Sequence, residues 1–362
     1  MSVASASTPV LDDRRLARNP IAIVGMSGLF PKAHNHREYW QNIVDGLDCT
    51  EDVPASRWSL DDYYDEDRSA PDKTYSRRGA FLPDVDFDPV EFGLPPNQLE
   101  VTSTMQTLGL GVARDLLVDA GATDSPWYEP NRTGVVIGTT GPVPLMHPLA
   151  ARLSTPVLKE AARSCGLTAA DADAVAEKFV TAFAPWEENS FPGLLANVVA
   201  GRIANRFGLG GINCTVDAAC AASLAAIRMA IAELLDGRAD TMITGGVDTE
   251  NSIFIYMCFS KVGALSPTGR ISPFSDEANG TLLGEGISML ALRRAFRRRA
   301  RRESDLCGDP RARLVQRRQV EEHLRPACRR PAGGARSGVC RCGMLAVVRR
   351  VVRGARHGNG SR

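Results

Sequence analysis

Short β-branched runs alternate with helical stretches over the first 250 residues, and this alternation carries most of the fold information. Ile21-Ala-Ile-Val-Gly-Met26 is a strand-length apolar run closing on a Gly turn, and Thr133-Gly-Val-Val-Ile-Gly138 is a second, buried one. Two more follow, Asn213 to Asp217 and Thr241-Met-Ile-Thr-Gly-Gly246. Between them, residues 37–47, 99–121, 193–206 and Ala221 to Leu235 read as helices, and 149–183 as two Ala-rich helices. Residues 48–98 are rich in Asp, Pro and Tyr and follow neither period, so they read as a long surface excursion. Strands separated by helices predict an α/β protein whose sheet is covered on both faces. The Gly25 to Gly28 spacing is too little to indicate a nucleotide loop.

Composition adds limits. A chain of 362 residues, 44% hydrophobic and 23% charged, can bury one large core or two moderate ones. No apolar run reaches the roughly 18 residues needed to span a bilayer, and the polar start has no signal-peptide core. A soluble cytoplasmic protein without a membrane partner is expected. The nine Cys lack C-x-x-C spacing, so neither a disulfide framework nor a metal site is indicated, and reduced thiols are expected.

The net charge of +1 hides a sharp asymmetry. Residues 297–362 hold 19 Arg, no Lys and 5 acidic residues, a charge of +14 that leaves the body at −13. No Phe, Tyr or Trp follows Phe296. A segment of this kind has little with which to build a core. The chain therefore divides into a flexible lead-in over 1–18, a folded body over 19–296 and an Arg-rich, disordered tail over 297–362.

The chemistry concentrates in residues 211–237, GINCTVDAACAASLAAIRMAIAELLDG. A strand ends near Ala218-Ala219, Cys220 sits where a helix begins, and Ala221, Ala222 and Ser223 follow. A thiol at a helix start feels the positive end of the macrodipole, which favours the thiolate. Small neighbours permit a sharp strand-to-helix turn, whose backbone N–H groups can stabilise an oxyanion. A lone Cys ahead of an Ala-rich helix is more often a small buried residue; here the surroundings decide for an acyl-carrying nucleophile.

Those surroundings resemble the β-ketoacyl synthases of thiolase fold. Thr215-Val-Asp-Ala-Ala-Cys-Ala-Ala-Ser-Leu224 is similar to the family's nucleophile motif T-V-D-x-A-C-S-S-S-L, and Gly201-Arg-Ile-Ala-Asn-Arg-Phe207 to its R-I-s-y-x-F element. Downstream, Gly245-Gly246, Phe259-Ser-Lys261 and Pro273-Phe-Ser-Asp-Glu-Ala-Asn-Gly-Thr-Leu-Leu-Gly-Glu-Gly286 resemble P-F-D-x-x-A-x-G-x-x-x-G-E-G and its neighbours. Residues 72–88, 91–97 and 186–192 look like the condensing domain of bacterial polyunsaturated fatty acid synthases, with heterocyst-glycolipid and enediyne synthases as neighbouring iterative type I enzymes.

The resemblance implies the amino-terminal half of a thiolase-like fold, with a mixed sheet covered by helices. It implies that Cys220 accepts an acyl group from an acyl carrier protein and that a malonyl unit on the carrier decarboxylates and attacks the thioester. The carrier supplies the phosphopantetheine arm, so no directly bound cofactor is expected; the intact family is homodimeric. In that family the helix after the nucleophile is covered by the second half of the fold. Glu285 and Lys261 are read as structural, since a buried Glu in a Gly-Glu-Gly turn usually satisfies backbone donors.

Two family His motifs, E-A-H-G-T-x-T and a later G-H, are missing. His34, His36 and His147 lie in other contexts, and His323 and His357 in the Arg-rich tail. Arg-rich sequence without Lys or aromatics is what a GC-rich gene gives out of frame. Back-translating Val315 to Pro326 and dropping one nucleotide permits S-S-D-G-K-S-K-S-I-Y-A-P, and Arg353 to Gly360 in the same frame permits E-A-H-G-T-[A/G]-T. Both strings resemble the family, at its separation. The alternatives are a non-catalytic thiolase-fold partner of the chain-length-factor kind, which usually lacks the nucleophile, and a basic-tailed binding protein. The tail lacks the Lys and interleaved aromatics of a nucleic-acid surface, so no nucleic-acid partner is expected.

Overall fold

The computed structural model describes Leu16 and residues 19–295 apart from Pro142. The expectations for 1–15 and for the Arg-rich tail, including His323 and His357, lie outside the described residues.

In chain order the main elements are β1 (Ile21–Leu29), α1 (His36–Val44), β2 (Glu51–Asp52), β3 (Arg78–Ala80), α2 (Thr104–Asp119), β4 (Thr133–Gly138), α3 (His147–Ser164), α4 (Ala169–Thr181), α5 (Val198–Arg206), β5 (Asn213–Val216), α6 (Ala222–Leu235), β6 (Thr241–Asp248), α7 (Ile253–Lys261), β7 (Leu283–Gly284) and β8 (Gly286–Arg294). Short helical turns occur at Leu60–Tyr63 and Ser190–Leu194. The main sheet runs β1-β8-β6-β4-β5. Strands β4, β5 and β6 are parallel, whereas β8 pairs antiparallel with both β6 and β1, so the sheet is mixed.

Side-chain alternation builds two layers on this sheet. Val135, Ile137, Ile243, Met289 and Ala291 point into one core with α2 and α5. Val136, Met242 and Leu292 point into the other, against Ala226, Ala230 and Leu234 of α6. Every residue of β4 is buried, as expected of a strand covered on both faces.

The structure corrects several boundaries and one assignment. The helix expected over 99–121 is a 3-10 turn, Pro96–Val101, followed by α2; the break falls at Ser103, whose side chain caps α2 by accepting from the Met105 N–H at 3.2 Å. Residues 48–98 are more than a surface excursion. They contribute β2 and β3 to a three-stranded sheet, β2-β3-β7, and bury Val53, Trp58, Tyr75 and Phe81 with Tyr256 and Leu265 in a second core. Strands of two or three residues are too short to show a period, so this core is invisible to pattern reading. Gly25 and Gly28 lie inside β1, not in a loop. Helix α7 and strand β8 add to the elements expected from pattern. No helix among the described residues is long and apolar enough to cross a membrane.

Candidate active site

The C-terminal ends of the three parallel strands meet at one edge of the sheet, where Gly138, Val216 and Gly246 are level in register. Chain leaving β5 at that edge forms the turn that carries Cys220. The Asp217 carboxylate accepts the Ala219 N–H at 2.9 Å, and Ala219 adopts φ +47, in the left-handed region. A non-glycine residue there costs about 1–2 kcal/mol, the kind of backbone strain that clusters at functional sites. The turn then tightens: the N–H of Ala221 donates to the carbonyl of Ala218 (3.1 Å) and that of Ala222 to Ala219 (3.0 Å). Helix α6 starts at Ala222, with Ala221 as its N-cap.

Cys220 is therefore one residue ahead of the N-cap, not on the first helical turn, and it is exposed. The small residues around it have a steric reason. A Cβ on Gly138 would lie 2.4 Å from the Ala222 carbonyl carbon, and one on Gly246 would lie 2.9 Å from Cβ of Ser223. The ends of β4 and β6 thus press directly on the first turn of α6 and fix the elbow from below.

Glu285 is buried in the Gly-Glu-Gly turn between β7 and β8 and does what the sequence predicts of it. Its carboxylate accepts the Leu82 N–H at 2.9 Å, the Asn251 N–H at 3.3 Å and Nη2 of Arg57 at 2.7 Å, tying three distant segments together. Burial pushes its pKa up, while those donors and Arg57 pull it down. Lys261 ends α7 in an exposed position.

The residue that pattern reading passes over is Glu250, in the link between β6 and α7. Its own N–H donates to Asp248 at 3.1 Å, and the next N–H, of Asn251, is the one held by Glu285. Glu250 is thus flanked by two carboxylates while Arg57 is committed to Glu285. Burial first, then the charges of Asp248 and Glu285, push its pKa up to about 8. Asp248, two residues before it, is a neighbour in sequence, but the burial that contributes most and the approach of Glu285 are set by the fold.

His34 and His147 are exposed and His36 is half-buried at the start of α1; they belong to α1, α3 and the turn before α1, not to the Cys220 elbow. Among the described residues no group of His, Cys, Asp and Glu could hold a metal ion.

Comparison with known proteins agrees with this geometry. The family described as beta-ketoacyl synthase, N-terminal domain, matches residues 18–297. A polyunsaturated fatty acid synthase subunit of Thraustochytrium sp. is 41% identical over 274 residues, 76% of this chain and 10% of that protein. Polyketide synthase PksN of Bacillus subtilis is 31% identical over 295 residues, 81% of this chain and 5% of that one. Among solved structures, the oxazolomycin ketosynthase domain OzmH KS7 of Streptomyces albus superposes with a TM-score of 0.59 at 28% identity, covering 76% of this chain and 42% of its own. A ketosynthase of the Bacillus subtilis bacillaene synthase gives 0.58 at 28%, covering 76% and 40%. The chain thus spans a tenth or less of these two curated relatives and about two fifths of these ketosynthase structures. The mixed sheet and the relatives agree: the chain belongs to the β-ketoacyl synthase family, as the thiolase-like N-terminal ketosynthase domain found in type I polyketide and polyunsaturated fatty acid synthases.

Proposed function

We propose that Cys220 is the acyl acceptor of a β-ketoacyl-[acyl carrier protein] synthase. The single observation that carries this is an exposed thiol held at a strained turn, with Ala219 at φ +47 and the ends of β4 and β6 packed beneath it. The Cys220 thiolate attacks the carbonyl of an acyl group on the carrier's phosphopantetheine arm. A C–S bond to Cys220 forms, the C–S bond to the arm breaks, and the arm leaves as a thiolate that takes up the proton the Cys220 thiol released on ionising. In the intact family a malonyl unit on the carrier then loses CO2 and its carbanion attacks the acyl-Cys220 carbonyl, releasing the β-ketoacyl product and restoring the thiolate.

Strand β5 stands at the open end of the sheet order, and an edge of unpaired backbone groups supports the homodimer expected of the family. Acyl and malonyl carrier proteins are the partners of this reading, in the cytoplasm. With neither family His motif in the chain as translated, decarboxylation lacks its assistance, and we read the present product as condensation-defective and frame-shifted after about residue 296. Resequencing the codons for Arg294 to Arg301 tests the frame: an inserted or missing base supports it, and an intact frame refutes it.

The nucleophile is tested by mass spectrometry after incubation with an acyl thioester. A mass increase on the peptide holding Cys220, absent in Cys220→Ala, is expected. Acylation that persists in the Ala variant would remove the assignment. The non-catalytic alternative predicts no acylation of either form.

A further inference from the structure

Beside the small sheet lies a cleft of about 170 Å3, far more room than one water needs, lined among others by Asp52, Tyr64, Ser76, Arg77, Arg78 and Thr268. One wall is the turn over 266–269, which is braced before any ligand arrives. Gly269 takes φ +64 and donates its N–H to the Ser266 carbonyl at 3.3 Å, Ser266 Oγ donates to Asn279 Oδ1 at 2.7 Å, and Asn279 Nδ2 donates to Thr268 Oγ1 at 3.1 Å. Arg78, at the start of β3, is tied to that turn. Its guanidinium donates to the carbonyls of Gly269 (3.0 Å) and Thr50 (3.1 Å), with the Asp48 carboxylate farther off at 3.6 Å, so backbone acceptors hold its charge in place.

Arg77 is held more loosely. It lies over the Tyr64 ring, 5.8 Å from the centroid, and its one hydrogen bond among the described residues goes to Asp52, in a pair whose side chains are 49% and 47% exposed. A pair so open to solvent holds little and exchanges readily. Ser76, by contrast, is 3% exposed, yet its hydroxyl has no hydrogen-bond partner among the described residues. A buried donor of this kind calls for an acceptor.

We infer that this cleft binds a phosphate group, free or as a monoester, between Arg77 and Arg78. Two guanidinium groups against the single lining carboxylate of Asp52 give the cleft a net positive charge, and a planar guanidinium fork meets two phosphate oxygens at once. The lining includes no residue of the Cys220 turn, so the inference does not rest on the ketosynthase reading.

Calorimetric titration of the full chain with inorganic phosphate at constant ionic strength tests it, with sodium chloride as the control and glycerol phosphate as the monoester. Saturable binding at one site is expected, with an affinity loss of about tenfold or more in Arg77→Gln and in Arg78→Gln and none in Cys220→Ala. Arg77 is exposed, so Arg77→Gln keeps the circular dichroism of the parent and carries the test even where Arg78→Gln, deprived of its bonds to Gly269 and Thr50, unfolds. Glycerol phosphate binding tighter than inorganic phosphate assigns the site to a monoester; equal or weaker binding assigns it to the free anion. No saturable heat with either phosphate, an equal response to chloride, or undiminished binding by Arg77→Gln would overturn the inference.

Discussion

Helices α2, rich in Leu, and α6, rich in Ala and Leu, both lie against the same sheet, but they end in different surroundings. Helix α2 buries nine of its residues, among them Met105, Leu110, Leu116 and Leu117, between the sheet, α5 and the loop carrying Phe92 and Leu94. Helix α6 buries four, Ala222, Ala226, Ala230 and Leu234, a single stripe at intervals of four. On its other side Leu224 is 70% exposed and Met229 40%. A helix apolar on most faces belongs in the interior of a protein. The contrast teaches that the described residues complete the layer around α2 and leave α6 covered along one stripe only.

The contrast can be broken most strongly at matched leucines. Leu116→Ala in α2 removes a fully buried side chain and is expected to cost about 2–5 kcal/mol. Leu224→Ala in α6 is expected to stay within about 0.5 kcal/mol. Urea denaturation of both variants checks this; equal losses would mean that α6 is covered after all.

Next in size is the effect of Glu250, on the link that follows β6. Its pKa is raised from an ordinary 4.5 to about 8, so the native state keeps a proton that the unfolded chain releases. The associated stability is fully present below about pH 4.5 and is lost as pH rises toward 8. Glu250→Gln cannot ionise and is expected to abolish that fall, gaining on the order of 3 kcal/mol over wild type by pH 8. Denaturation midpoints at pH 5, 6.5 and 8 would show it, and parallel pH profiles for the two proteins would refute it.

The smallest effect concerns the head of α6. Ala219→Gly relieves the left-handed strain at φ +47 and is expected to change stability by less than about 1 kcal/mol, because relief in the folded state is offset by the greater freedom of an unfolded Gly. Acylation of Cys220 should slow in the same variant, since the turn is no longer held by a residue with a Cβ. Unchanged acylation would show that Asp217 and the packing of Gly138 and Gly246 fix the elbow alone.

Much of this was legible in residue order. The strands at 21, 133 and 241 show as β-branched apolar runs, with β4 buried along its whole length and β6 along most of it, and the Thr215 to Leu224 motif marks the Cys220 turn because its small residues answer to close packing. The buried, donor-satisfying role of Glu285 followed from the Gly residues on either side. What could not be read was whatever depends on pairs far apart in sequence. The Trp58, Tyr75 and Tyr256 core joins segments about 180 to 200 residues apart, so no local period announces it. Glu250, with Asp248 two residues before it, looks like any loop carboxylate until the fold buries it and brings Glu285 beside it.

The sequence by itself determined the family, the longer strands and helices and the place of Cys220 between a strand and a helix, since local propensity, small-residue spacing and side-chain type are written directly along the chain. Only the tertiary structure decided that Ala219 takes a left-handed φ, that α6 begins at Ala222 against two strand-end glycines, and that α6 leaves Leu224 and Met229 exposed. Those properties arise from which surfaces meet, and the free energy of burial belongs to a pair of surfaces and not to either segment alone.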